Sequence, residues 1–184
     1  MASAFPASCR AEVVVLEGTV SPDGRFAFAS DDAVSRSERI WRVALPSNTP
    51  IGEPFRTDNF IGLASRSYAV WNMRAARVAL EQGGIPFERT KVFQYSSRGL
   101  RELPIPTLEG LPDKWYPAAA VHRCYISARR WIGRDRIKMS VSGSLSYGEY
   151  PRRFFNYSLT LIIKFSNGGR GRIVSIEDAP LETL

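Results

Sequence analysis

Cysteine and histidine are scarce in this chain: 184 residues hold only Cys9, Cys124 and His122. Two cysteines exclude a disulfide framework and make a reducing compartment the default. One histidine and two distant cysteines fall short of the three or four ligands of a zinc site, so neither a metal nor a cofactor is expected. No apolar run approaches the roughly 20 residues that span a bilayer. The opening residues, Met1 to Pro6, lack the charged and apolar regions of a secretory signal. Lipidation motifs and internal repeats are missing too. Cytoplasm, nucleus or a particle assembled there is the expected location.

Catalytic side chains are equally sparse. His122 and Cys124 would share a face of an extended segment, which allows a Cys–His dyad in principle. No acid stands near enough in sequence to orient the imidazole, and no signature surrounds the cysteine. The adjacent carboxylates Asp31-Asp32 and Glu177-Asp178 sit in polar segments, without the burial that raises a pKa for acid catalysis. The chain is not expected to be an enzyme. A Cys124 enzyme remains the rival that Cys124→Ala would expose.

Acidic residues are scarce in one region in particular. Residues 1–122 carry 14 basic and 13 acidic side chains, whereas residues 123–172 carry 11 basic ones against Asp135 and Glu149. The last twelve residues return three acids, leaving a net charge of +7. A basic half of this kind points to a polyanion: nucleic acid, nucleoprotein or an anionic membrane surface. Of 25 basic residues, 21 are arginine. Arginine's planar fork suits phosphate, although a G+C-rich genome produces the same bias.

What is plentiful is alternation. Ile137, Met139, Val141, Leu145 and Tyr147 interleave with Lys138, Ser140, Ser142, Ser144 and Ser146. Phe155, Tyr157, Leu159, Leu161, Ile163 and Phe165 do the same against Asn156, Ser158, Thr160 and Lys164, and only Ile162 breaks the rule. Period-two patterning this long predicts antiparallel strands with one face on a core and the other in water. The even-numbered face reads as plain solvated sheet, and the charge clusters at the strand ends.

Upstream, Ser21-Pro22-Asp23-Gly24 predicts the turn of a hairpin over 12–29. Ile40 to Leu45 and Lys91 to Tyr95 predict further strands. A main helix is expected over 58–82, capped by Thr57 or Asp58 and ended by Gly83-Gly84. Phe60, Ala64, Tyr68, Trp71, Ala75 and Val78 gather on one side of that helix. Arg66, Arg74 and Arg77 gather on the other, as a solvated face or a basic stripe. Pro104, Pro106, Pro112 and Pro117 predict a long apolar loop over 97–118. Asn167-Gly168-Gly169-Arg170-Gly171-Arg172 resembles a phosphate loop, but strand-forming residues follow it, so a hairpin turn is favoured.

These elements predict an α+β fold, a twisted antiparallel sheet packed against one main helix. Residues 1–10 would be a flexible arm, 11–179 a single domain and 180–184 a tail. Candidate polyanion-binding residues are Arg66, Arg74, Arg77, Arg129, Arg130, Arg134, Arg136, Lys138, Arg152, Arg153, Arg170 and Arg172. Leu103, Ile105, Leu111, Trp115 and Tyr116, apolar residues of the proline loop, are candidates for self-association.

Two stretches carry a family resemblance. The first is strand Ile40–Leu45, then Pro54-Phe55-Arg56-Thr57, then a helix bearing Trp71. The second is strand 137–147, apolar strand 154–165, a glycine turn and Ile173-Val174-Ser175-Ile176. Together they resemble the matrix proteins of rhabdoviruses, especially the small ones of plant-infecting members. The resemblance implies a matrix-like fold and a virion protein that condenses the nucleocapsid and its RNA. It also implies self-association into homo-oligomers and a link to the envelope membrane and its glycoprotein. The lysine-rich tail of the animal-virus members and a Pro-Pro-x-Tyr motif are absent. An RNA-binding viral accessory protein, a silencing suppressor or movement factor, is the alternative.

Overall fold

The computed structural model describes residues 13–30, 39–56, 67–82, 89–106, 120–147 and 153–183. The strands in these segments are β1 (Val14–Val15), β2 (Phe26–Ser30), β3 (Arg39–Ala44), β4 (Thr49–Arg56), β5 (Ser67–Asn72), β6 (Arg77–Gln82), β7 (Arg89–Ser96), β8 (Gly99–Leu103), β9 (Ala120–Ile132), β10 (Arg136–Tyr147), β11 (Arg153–Phe165) and β12 (Gly171–Thr183). The one helical element among them is a single 3-10 turn at Met73–Ala75. Two sheets result, one of eight strands in the order β1-β2-β3-β4-β8-β7-β6-β5 and one of four in the order β12-β11-β10-β9.

The expected helix over 58–82 is therefore overturned, and with it the α+β class. Residues 67–82 form the hairpin β5–β6, while 57–66 lie outside the described residues. Strand β6 explains the misreading. Arg77, Val78, Ala79 and Leu80 are all buried, because β6 has packed neighbours on both faces. A strand buried on both faces loses its period of two, and such a run cannot be told from a helix by pattern alone. Tyr68, assigned to the helix's core side, is 54% exposed. Strand β8 likewise replaces the start of the expected 97–118 loop, since the prolines begin only at Pro104, after the strand ends.

The eight-stranded sheet curls until its far edge returns to the segment before β2, making a half-barrel. The Ala69 N–H donates to the Gly18 carbonyl at 3.2 Å and Trp71 Nε1 to the Thr19 carbonyl at 3.1 Å. The rings of Phe28 and Trp71 stack across this seam at 5.3 Å. Phe28, Ile40, Val78, Leu80, Phe93 and Tyr95 fill the interior. The curl depends on a close backbone crossing at the parallel pair Glu53–Gly99. There Gly52 has φ +73°, and a Cβ on it would sit 2.3 Å from the Gly99 nitrogen, so only glycine fits.

The four-stranded sheet packs its odd-numbered face against the outside of this curl, as its alternation predicts. Ile137, Met139, Val141, Leu159, Leu161 and Ile163 are fully buried, each stabilising the fold by roughly 1.5–3 kcal/mol. The first two meet Ala79, Val92 and Leu103, which are neighbours across β6, β7 and β8.

Polar rows flank this apolar row on both sides and lock the sheets in register. On one side the Ala128 N–H donates to Glu81 Oε2 at 3.0 Å, Ser127 Oγ to Glu81 Oε1 at 3.1 Å, and Thr90 Oγ1 to the Ile126 carbonyl at 2.6 Å. These side chains satisfy the outer edge of β9, which would otherwise invite strand addition. On the other side Asn72 and Arg77 hold the β9–β10 turn. Asn72 Nδ2 donates to the carbonyls of Gly133 at 3.0 Å and Arg134 at 3.3 Å, and Arg77 Nη1 to that of Arg134 at 3.4 Å.

Candidate nucleic-acid interface

The sequence leaves open how far apart the basic residues of 123–172 stand; strand register decides it. Arg136 pairs with Lys164, and Lys164 with Arg172, so three strands place three cations in one row. In the next row Lys138 pairs with Arg130. Paired residues point to the same face, and 136 and 138 are both even positions of β10. With strands about 4.8 Å apart and alternate residues about 6.6 Å apart, these five cations spread over roughly 16 Å. They cover one end of the even-numbered face.

Register also explains the Arg129-Arg130 pair. A bulge in β9 lies between the pairs Lys138–Arg130 and Met139–Ala128, leaving Arg129 as the extra residue. Both arginines are exposed, and Arg129 Nε donates to Ser140 Oγ at 2.8 Å. A bulge of this kind redirects a side chain that regular alternation would bury. Arg134 in the β9–β10 turn and Arg170 in the β11–β12 turn are exposed at the same end.

Eight cations (Arg129, Arg130, Arg134, Arg136, Lys138, Lys164, Arg170 and Arg172) thus share this end with two carboxylates. Lys138 Nζ stands 3.9 Å from Glu177 Oε2 and Lys164 Nζ 3.5 Å from Asp135 Oδ2. Surface pairs of this type are worth about 0–1 kcal/mol and exchange readily for another anion. Among the described residues, Arg130, Arg134, Arg136, Arg170 and Arg172 have no carboxylate partner. Lys164 is the member absent from the sequence-predicted set, although its even position in β11 was the available signal.

The other candidates scatter. Arg74 is exposed on the 73–75 turn, next to the strands that hold the β9–β10 turn. Arg77 is only 9% exposed, stacked 5.6 Å over the Phe165 ring. Burial lowers its pKa from the ordinary guanidinium value, with Asp135 opposing. It supports the basic turn and does not present a charge of its own. Arg153 pairs with Tyr147 at the far end of β10–β11, roughly 35 Å from the cationic rows. Arg66 and Arg152 lie outside the described residues.

The proposed self-association set is not a surface where it is described. Leu103 is 1% exposed, in the core between the sheets, and Ile105 packs against that core. Leu111, Trp115 and Tyr116 lie outside the described residues.

A second buried arginine, Arg42, belongs to none of the candidate sets. Arg42 is 5% exposed, inside the curl, with its guanidinium 4.8 Å from the Phe26 ring centre and 4.6 Å from that of Tyr95. Its Nη2 donates to the Ser96 carbonyl at 2.9 Å, while Nε has no partner. Burial lowers its pKa and raises that of Tyr95, each moderated by the other.

Among the described residues no three His, Cys, Asp or Glu residues gather as metal ligands, and no helix is long and apolar enough to cross a membrane. His122 and Cys124 both lie on β9, two positions apart. Protein-family models, curated proteins and solved structures yield no match to this chain, so the resemblance to rhabdovirus matrix proteins gains no support from them.

Proposed function

We propose that the chain is a non-enzymatic structural protein that binds nucleocapsid RNA through the turn end of its four-stranded sheet. The carrying observation is the register that sets Arg136, Lys164 and Arg172 in one row and Arg130 and Lys138 in the next. A polyphosphate chain matches such a surface by releasing its counterions, so binding weakens as salt rises. A matrix role, with self-association and attachment to an envelope, is the specific form of this reading. The Trp71 segment is strand, which removes one of the two stretches behind that form and favours a second reading, an RNA-binding accessory protein.

Co-sedimentation of the wild type and Arg130/Arg136/Arg172→Ala with nucleocapsids, naked RNA and anionic liposomes separates these readings. The triple variant should lose most of its binding to RNA and nucleocapsid. A matrix protein prefers nucleocapsid and forms higher-order assemblies, whereas an accessory protein binds naked RNA as well or better. Wild-type binding by the triple variant would end the proposal.

A further inference from the structure

Beyond its cationic rows the even-numbered face continues as a hydroxyl surface. Ser140 pairs with Ser127 and Thr160, and Ser142 with Tyr125 and Ser158; the Ser127 hydroxyl is bonded to Glu81, that of Ser140 accepts from Arg129, and Thr160 pairs onward with Glu177, the carboxylate beside Lys138. All six hydroxyl-bearing residues are half-buried; five are short Ser or Thr side chains that lie flush on the sheet, and the sixth is a tyrosine. No hydrophobic cluster of the described residues forms on this face. Tyr125 stands on it opposite Ser142, roughly 13 Å along β9 from Arg130.

We propose that this face binds RNA as a single strand, its phosphates on the Arg130–Lys138 and Arg136–Lys164–Arg172 rows and a base stacked on Tyr125. The proposal rests on the RNA-binding reading and specifies the form of RNA. Duplexes are recognised by elements that enter a groove or span the minor groove of an A-form helix. The serines and threonines of this face lie flush, and Ile162, paired with Lys138, is half-buried among them, so the face carries no projecting helix or loop to insert. Unpaired bases, by contrast, lie on flat surfaces, stack on aromatic rings and accept or donate hydrogen bonds to hydroxyls. Charge at one end and hydroxyls with one ring beyond it suit a chain that carries phosphate and base side by side.

Fluorescence anisotropy with a short mixed-sequence RNA, single-stranded or annealed to its complement, tests this directly. The single strand should bind about tenfold tighter or more. Tyr125→Ala should weaken it by about 5- to 160-fold, the range for losing one base stack, and leave duplex binding unchanged. Tyr125→Phe should bind as the wild type does. Ser142→Asp, which places a carboxylate mid-face, should also weaken the single strand, and serves should Tyr125→Ala melt early. Equal binding of both RNAs, or wild-type affinity in both the Tyr125→Ala and Ser142→Asp variants, would overturn the single-strand proposal. If Arg130/Arg136/Arg172→Ala still lost affinity in that case, the RNA-binding reading would stand without it. Wild-type affinity of Arg130/Arg136/Arg172→Ala for both RNAs would overturn both.

Discussion

Arg42 in the curled sheet and Lys138 in the four-stranded sheet are each flanked on a strand by two apolar residues. Arg42 is 5% exposed between two aromatic rings, whereas the Lys138 side chain is 34% exposed beside Glu177. The apolar neighbours on either side do not separate them. The difference is what stands opposite: inside the curl Phe26 of β2 and Tyr95 of β7 close over Arg42, while the four-stranded sheet has a packing partner on its odd-numbered face alone. The curled sheet buries Arg42 and Arg77 and leaves Arg25, Arg39, Arg98 and Arg101 exposed on separate turns and strands, whereas the four-stranded sheet gathers its exposed cations at one end. Charge count alone is therefore a poor guide to a binding surface. Register and the number of covered faces decide which arginines are available.

The contrast can be broken at its structural side first. Gly52→Ala forces a Cβ to within 2.3 Å of the Gly99 nitrogen at a φ of +73°. It should cost roughly 4 kcal/mol of stability, read as a shift in the urea midpoint. Arg42→Ala comes next, at about 3 kcal/mol, since it removes two ring contacts and the bond to the Ser96 carbonyl. Arg42→Met should cost about 1 kcal/mol or less, because methionine fills the space and leaves no unpaired Nε. If the two variants unfolded alike, the guanidinium's charge would matter more than its packing. Asn72→Ala takes the donor from the Gly133 carbonyl and leaves the Arg134 carbonyl with Arg77 alone, and should cost about 1–2 kcal/mol. It should weaken RNA binding as well, because the basic turn loses its support.

The smallest effect concerns pH. The Ser21 hydroxyl, and then Arg25, hold the Asp23 carboxyl at about 2, below its ordinary 3.8. A depressed folded-state pKa contributes stability that is complete above the unfolded value and lost as pH falls through the folded one. The turn's contribution should thus fade between about pH 4 and pH 2. Asp23→Asn should flatten that part of the acid-stability profile, and an unchanged profile would show that Asp23 is not held by Ser21 and Arg25.

Much of the four-stranded sheet is legible in the sequence. The alternation of 137–147 and 155–165 identifies both strands, and Ile137, Met139, Leu159 and Leu161 are buried as it requires. Strand β9 was not recognised, because the bulge at Arg129 throws Arg129 and Arg130 out of phase with their neighbours. The pattern of β5 and β6 imitates a helix because β6 is covered on both sides. Burial of Arg42 leaves no mark in sequence, since Phe26 and Tyr95, the rings that hold it, are remote from it along the chain. The basic bias was visible, but its division into one gathered cluster at the turn end and a remote Arg153 needed the register of three strand pairs.

The central claim is that the gathered cations, and not the buried ones, bind RNA. The salt dependence of single-stranded RNA affinity tests it most directly, compared between the wild type and Arg130/Arg136/Arg172→Ala. Each exposed substitution should change stability by no more than about 0.5 kcal/mol, so the fold is preserved. Three lost phosphate contacts at about 0.7 counterions each should reduce the slope of log affinity against log salt by roughly 2. An unchanged slope in a stably folded variant would contradict the claim.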